Sequence, residues 1–99
     1  MFTSKQRSKL RSLAQTIEPV GQIGKGGIQD NMIKSLSDVL DKRELIKLTV
    51  LNNVDEDIND LANEIANSLN AEVVCVIGHK IVLYRYSNKK GVKHVDYNS

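Results

Sequence analysis

The segment Asn52–Asn70, NNVDEDINDLANEIANSLN, sets its apolar residues at helical spacing between runs with a different rhythm. Ile58, Leu61, Ala62, Ile65, Ala66 and Leu69 share one helix face, acids crowd the first turn, and Asn70 suits the C-terminal end. Before it, ELIKLTVL (Glu44–Leu51) is apolar and β-branched, the pattern of an inner strand. After it, AEVVCVIGHKIVLYRY holds two strand-like runs that meet at Gly78-His79, a two-residue hairpin turn. A strand, a helix and a hairpin in this order leave few folds open. Strand–helix–strand units give parallel pairs with right-handed crossovers, and the last two strands should pair antiparallel.

The N-terminal half extends the pattern. Thr3 and Gln6 have the spacing of a capping box, and Gln6, Leu10, Leu13, Ala14 and Ile17 predict a helix over Ser4–Thr16. Pro19 blocks its continuation, and VGQI (Val20–Ile23) reads as a short strand. Ile28, Met32, Leu36 and Val39/Leu40 form the apolar stripe of a helix from Ile28 to about Asp41. The expected order is α-β-α-β-α-β-β. It describes a single α/β domain, a four-stranded mixed sheet packed with helices. The domain is expected to occupy residues 1–86. The remaining SNKKGVKHVDYNS, residues 87–99, is basic and without apolar pattern, and is expected to be a mobile tail.

Charge is unevenly spread. Residues 1–50 hold nine Lys/Arg and five Asp/Glu, residues 51–70 hold five acids and no Lys/Arg, and residues 71–99 hold five Lys/Arg and two acids. The segments carry +4, −5 and +3, which sum to the net +2. A basic face suited to a polyanion, with the acidic helix turned away, is one consequence; solvated surface is the other. No apolar run approaches the roughly 18 residues of a membrane span, and MFTSKQRSKLRSLAQ lacks an apolar signal-peptide core. The single cysteine, Cys75, cannot form an internal disulfide. A cytoplasmic location and a monomer are expected.

Catalytic patterns are missing. His79, His94 and Cys75 show no metal-ligand spacing, and no Ser/His/Asp arrangement is visible. The acids between Asp55 and Asp60 lack a calcium-loop pattern and suit a helix N-terminus. No enzyme activity, cofactor, metal or small-molecule substrate is expected.

What stands out is Gly24-Lys25-Gly26-Gly27, between a strand and a helix. It fails as a Walker A loop, because only two residues separate Gly21 from Gly24-Lys25. It fails as a dinucleotide fingerprint, because Gln29 stands where a glycine is needed. It fits Gly-x-x-Gly. Either the turn needs dihedrals that glycine alone reaches freely, or a ligand comes close to the backbone. The free N–H groups of a following helix make an anion site, and Lys25 adds a positive charge. Lys5, Arg7, Lys9 and Arg11 make the first helix basic, and Lys34 follows the glycine turn. On one surface these would form a phosphate-binding track. Aromatic residues are scarce, so recognition of RNA backbone and shape is expected over base stacking.

At this point LRSLAQTIEPVGQIGKGGI, RELIKLTVLNN and VVCVIGHKIVLYRY together resemble the CRM domain (chloroplast RNA splicing and ribosome maturation), in its bacterial stand-alone YhbY-like form. The resemblance covers about residues 3–86. It implies a fold similar to the C-terminal domain of translation initiation factor three. It implies RNA binding through Gly24, Lys25, Gly26 and Gly27 with the adjacent basic surface, onto which the helix bearing Lys5, Arg7, Lys9 and Arg11 maps. It also implies association with large-subunit ribosomal RNA or its precursor particle, and a part in ribosome assembly. The loop is similar to that of KH domains, but here it joins a strand to a helix. The alternative from a different class is a protein-interaction module on the ribosome or a translation factor, using Asp57, Asp60 and Glu64 of the acidic helix.

Overall fold

The computed structural model describes residues 2–97. Its elements are α1 (Ser4–Ala14), β1 (Gly21–Ile23), α2 (Asp30–Arg43), β2 (Leu45–Val50), α3 (Ile58–Leu69), β3 (Glu72–Ile77) and β4 (Lys80–Tyr84). This is the order expected from the sequence, and most boundaries have a local cause. The Gln6 N–H donates to Thr3 Oγ1 at 3.1 Å and the Thr3 N–H donates to Gln6 Oε1 at 3.0 Å, which completes the capping box. The Asp57 carboxylate accepts from the Asn59 and Asp60 N–H groups at 2.8 and 3.2 Å, and Asn70 ends α3 at φ +53. α2 starts two residues later than its apolar stripe suggests. Gly27 takes φ +71 and Gln29 is extended, so helical dihedrals begin only at Asp30.

The sheet order is β1-β2-β4-β3. β1 pairs parallel with β2, and β4 pairs antiparallel with both β2 and β3. β2 and β3, joined through α3, therefore run parallel without touching. The two-residue turn at Gly78, φ +57, sends β4 back beside β3 and into the place next to β2. That central position buries Ile81, Val82 and Leu83 completely.

Alternation along the strands feeds two cores. Ile46, Leu48, Val50, Ile81 and Leu83 meet α2 and α3 through Leu36, Leu40, Leu61 and Ile65. Leu45, Val82 and Tyr84 face the other way, onto Leu10 and Ala14 of α1. The result is α2/α3, sheet, α1. Each fully buried Leu or Ile in these layers is worth about 1.5–3 kcal/mol of transfer free energy.

The segment after β4 differs from its expectation as a tail beyond the domain. Ser87 is buried, and Val95 and Tyr97 pack on the α1 side of the sheet. The rings of Phe2, Tyr84 and Tyr97 meet edge to face with centroids 5.1–5.5 Å apart. Glu44 holds the segment at two points. Its carboxylate accepts the Ser87 N–H at 2.7 Å and the Val95 N–H at 2.8 Å, and its Oε2 lies 2.6 Å from His94 Nδ1. These anchors are mostly polar and backbone-borne, so no apolar rhythm announces them.

Candidate nucleic-acid interface

Gly24–Gly27 closes as a turn, with the Gly27 N–H donating to Gly24 O at 2.9 Å. Lys25 and Gly26 sit at its exposed tip. Among the three glycines of this turn, only Gly27 has a positive φ. A Cβ added at Gly26 would meet only the side-chain Nε2 of Gln29, at 3.2 Å. A Cβ at Gly24 would lie 3.4 Å from Leu51 Cδ1, an ordinary contact. The fold thus demands glycine by conformation at one position, Gly27.

The turn leads into α2, which among the described helices alone has no side-chain cap at its N-terminus. Thr3 caps α1 and Asp57 caps α3, whereas Gln29 makes no capping hydrogen bond to α2. Free N–H groups and the positive end of the helix dipole therefore follow the turn that carries Lys25. Asp30 is the carboxylate of that first turn. Lys34 lies on the exposed face of α2, one turn further on, outside the Arg85–Asp41 and His94–Glu44 ion pairs.

The basic residues of α1 do not share one flank of the helix. At about 100° per residue, Lys5 and Lys9 fall on one flank of the buried Leu10/Ala14 face and Arg7 and Arg11 on the other. Lys9 borders the side toward β2, where it lines a cleft with Leu45. Arg7 and Arg11 border β3, close enough to Cys75 to oppose the rise in its thiol pKa that burial causes. Arg7 is also committed: its Nη1 donates to the carbonyls of Val73 and Val74. Those carbonyls lie at a register shift in β3, an edge strand, so Arg7 covers edge acceptors there.

Arg85 is a structural tie. Its guanidinium donates to Ser37 Oγ, Ser37 O, Leu69 O and Asp41 Oδ1 at 2.7–3.1 Å, joining α2 to α3. Lys80 donates to Thr49 Oγ1 at 2.8 Å. The register pairs Gln22 with Thr49 and Thr49 with Lys80, so these three form a polar row across the sheet on the α1 side, next to the glycine turn. Lys47, on the same face, donates to Ala14 O at 2.9 Å. Sequence inspection passed over Lys47; its signal is a charge at an alternate position of an apolar strand.

The loop that opens the acidic segment lies beside the glycine turn. Gly24 packs beside Leu51 and Asn53, which lead directly into Asp55, Glu56 and Asp57. Asp57 spends its carboxylate on the α3 cap, and Asp55 and Glu56 are exposed. Among the described residues, no group of three or more His, Cys, Asp or Glu side chains is placed to hold a metal ion. None of the described helices is long and apolar enough to cross a membrane.

A small mixed-sheet domain with a strand-to-helix Gly-x-x-Gly turn defines a class, and comparison with known proteins gives it a family. Residues 2–85 match the model of the CRS1 / YhbY (CRM) domain, and the chain belongs to that family. It is 46% identical over 89 residues to "Probable RNA-binding protein YqeI" of Bacillus subtilis, covering 90% of this chain and 93% of that protein. It is 31% identical over 92 residues to an "RNA-binding protein" of Haemophilus influenzae, covering 93% of each. The solution structure of the hypothetical protein SAV1595 from Staphylococcus aureus superposes with a TM-score of 0.77 at 50% identity, over 91% of this chain and 94% of that one.

Proposed function

We propose that this chain binds structured RNA through the Gly24–Gly27 turn and associates with large-subunit ribosomal RNA or its precursor particle during assembly. The observation that carries this is Gly26. It is exposed at the loop tip, has no positive φ and has only a flexible side chain where its Cβ would be. Internal packing gives no reason for glycine there, whereas close approach of a phosphate backbone does. Lys25 supplies the countercharge and the uncapped α2 terminus supplies donors. The names of the relatives support the same partner class.

Gly26 and Gly27 separate the two roles. Gly26→Ala should leave thermal stability nearly unchanged and weaken binding to large-subunit ribosomal RNA. Gly27→Ala should cost about 1 kcal/mol of stability, because φ +71 strains any L side chain. Full RNA affinity in folded Gly26→Ala and Lys25→Ala proteins would remove the loop from the interface. Co-sedimentation with large-subunit precursor particles, lost on Lys25→Asp, tests the ribosomal assignment.

A further inference from the structure

The Tyr86 and His94 rings lie stacked, 8° from parallel with centroids 4.5 Å apart. Tyr86 is still 57% exposed although His94 covers one of its faces. The Glu44 carboxylate fixes His94 at Nδ1 and holds the backbone on either side of it, at Ser87 and Val95. The stack is therefore a built platform rather than a chance contact of two mobile side chains.

His94 lines a cleft of about 620 Å³ between α1, the end of α2 and the C-terminal segment. Its apolar lining includes Leu13, Ile17 and Val95. Lys9, Lys42, Arg43 and Lys93 surround it, against the acids Glu18 and Asp96. Tyr86 borders a second cleft, lined also by Phe2, Tyr84 and Tyr97. An exposed aromatic pair beside an apolar cleft with a cationic rim is the chemistry that holds unpaired nucleotides, with bases on rings and phosphates on Lys and Arg. An acidic peptide would use the cations and the apolar lining but not the open ring face.

We propose that the Tyr86–His94 platform and this cleft bind an unpaired RNA segment, as a second contact distinct from the glycine turn. The proposal rests on the RNA-binding function argued above and adds single-stranded recognition to it. Tyr86 and residues 87–97 lie beyond the 2–85 matched by the family model. α2 separates its ends by about 20 Å, with the glycine turn at one and Arg43 at the other, so the two contacts can be mutated independently.

The test compares a short blunt RNA duplex, the same duplex with an unpaired adenosine extension long enough to span α2, and one whose extension is abasic. The extension is placed at a 3′ or a 5′ end in separate probes. The adenosine extension should tighten binding about tenfold, as stacking of a single base does. The gain should vanish in Tyr86→Leu, persist in Tyr86→Phe and persist in Lys25→Asp. Thermal unfolding confirms that each variant folds. An equal gain from the abasic extension, no gain at all, or full gain in Tyr86→Leu overturns the proposal while leaving RNA binding intact. Binding to none of the RNAs overturns the RNA-binding function, and the platform falls with it. Tight binding of a leucine-bearing oligoglutamate peptide, with no gain from unpaired bases, assigns the cleft to a protein and also overturns the proposal.

Discussion

Glu44 ends α2 at φ +64 and ψ −38 with its side chain wholly buried. That conformation is costly for a residue with a Cβ, and the carboxylate contacts offset it. Burial alone would raise the Glu44 pKa. The Ser87 N–H, the His94 ring and the Val95 N–H outweigh burial and hold it below the ordinary carboxylate range. A depressed folded-state pKa contributes stability above the ordinary range and loses it as pH falls through the folded value. Glu44→Gln should therefore cost about 1.5–3 kcal/mol at neutral pH. Its deficit against wild type should shrink on acidification, as thermal unfolding over a pH series will record. Arg85→Lys should also destabilise, by about 2 kcal/mol, because an ammonium cannot replace the four-way fork. RNA affinity of the folded Arg85→Lys protein should be unchanged. Neither role was legible in the sequence. Glu44 opens an apolar strand-like run and Arg85 closes one, and nothing in spacing tells a buried tie from a surface charge.

The elements were legible because each carries its own rhythm or cap. Thr3 with Gln6, Pro19, and the Ile58–Leu69 stripe gave their boundaries to within a few residues. The insertion of β4 between β2 and β3 was not legible, since a hairpin signal does not state which neighbour its second strand will take. The two flanks of α1 follow from the helical period once the buried face is known, yet the face itself is set by tertiary packing. Arg7→Ala should therefore show its effect as lost stability at the β3 edge, measured by hydrogen exchange of β3 amides, rather than as a simple loss of one phosphate contact. The acidic loop before α3 carries a further prediction. Asp55→Asn with Glu56→Gln should tighten RNA binding severalfold at low salt, and the gain should fade as salt screens it. Weakened association with ribosomal particles in that variant would favour the acidic segment as a protein contact instead.

At the scale of the whole molecule, the start of the acidic segment lies beside the glycine turn. The sheet brings the C-terminal ends of β1 and β2 together, and with them Lys25 and the approach to Asp55 and Glu56. Cations occur at both ends of α2, with Lys34 near its start and Lys42 and Arg43 at its end. RNA binding at the glycine turn therefore depends on local geometry more than on net charge, which is only +2. The most direct measurement is affinity for large-subunit ribosomal RNA over a salt series, for wild type and the Lys25→Asp/Gly26→Asp variant, with circular dichroism confirming the fold of both. The account predicts a steep salt dependence for wild type. It predicts a folded variant that binds far more weakly, with a slope shallower by about one charge. Equal affinity and equal slope in the two folded proteins would contradict it.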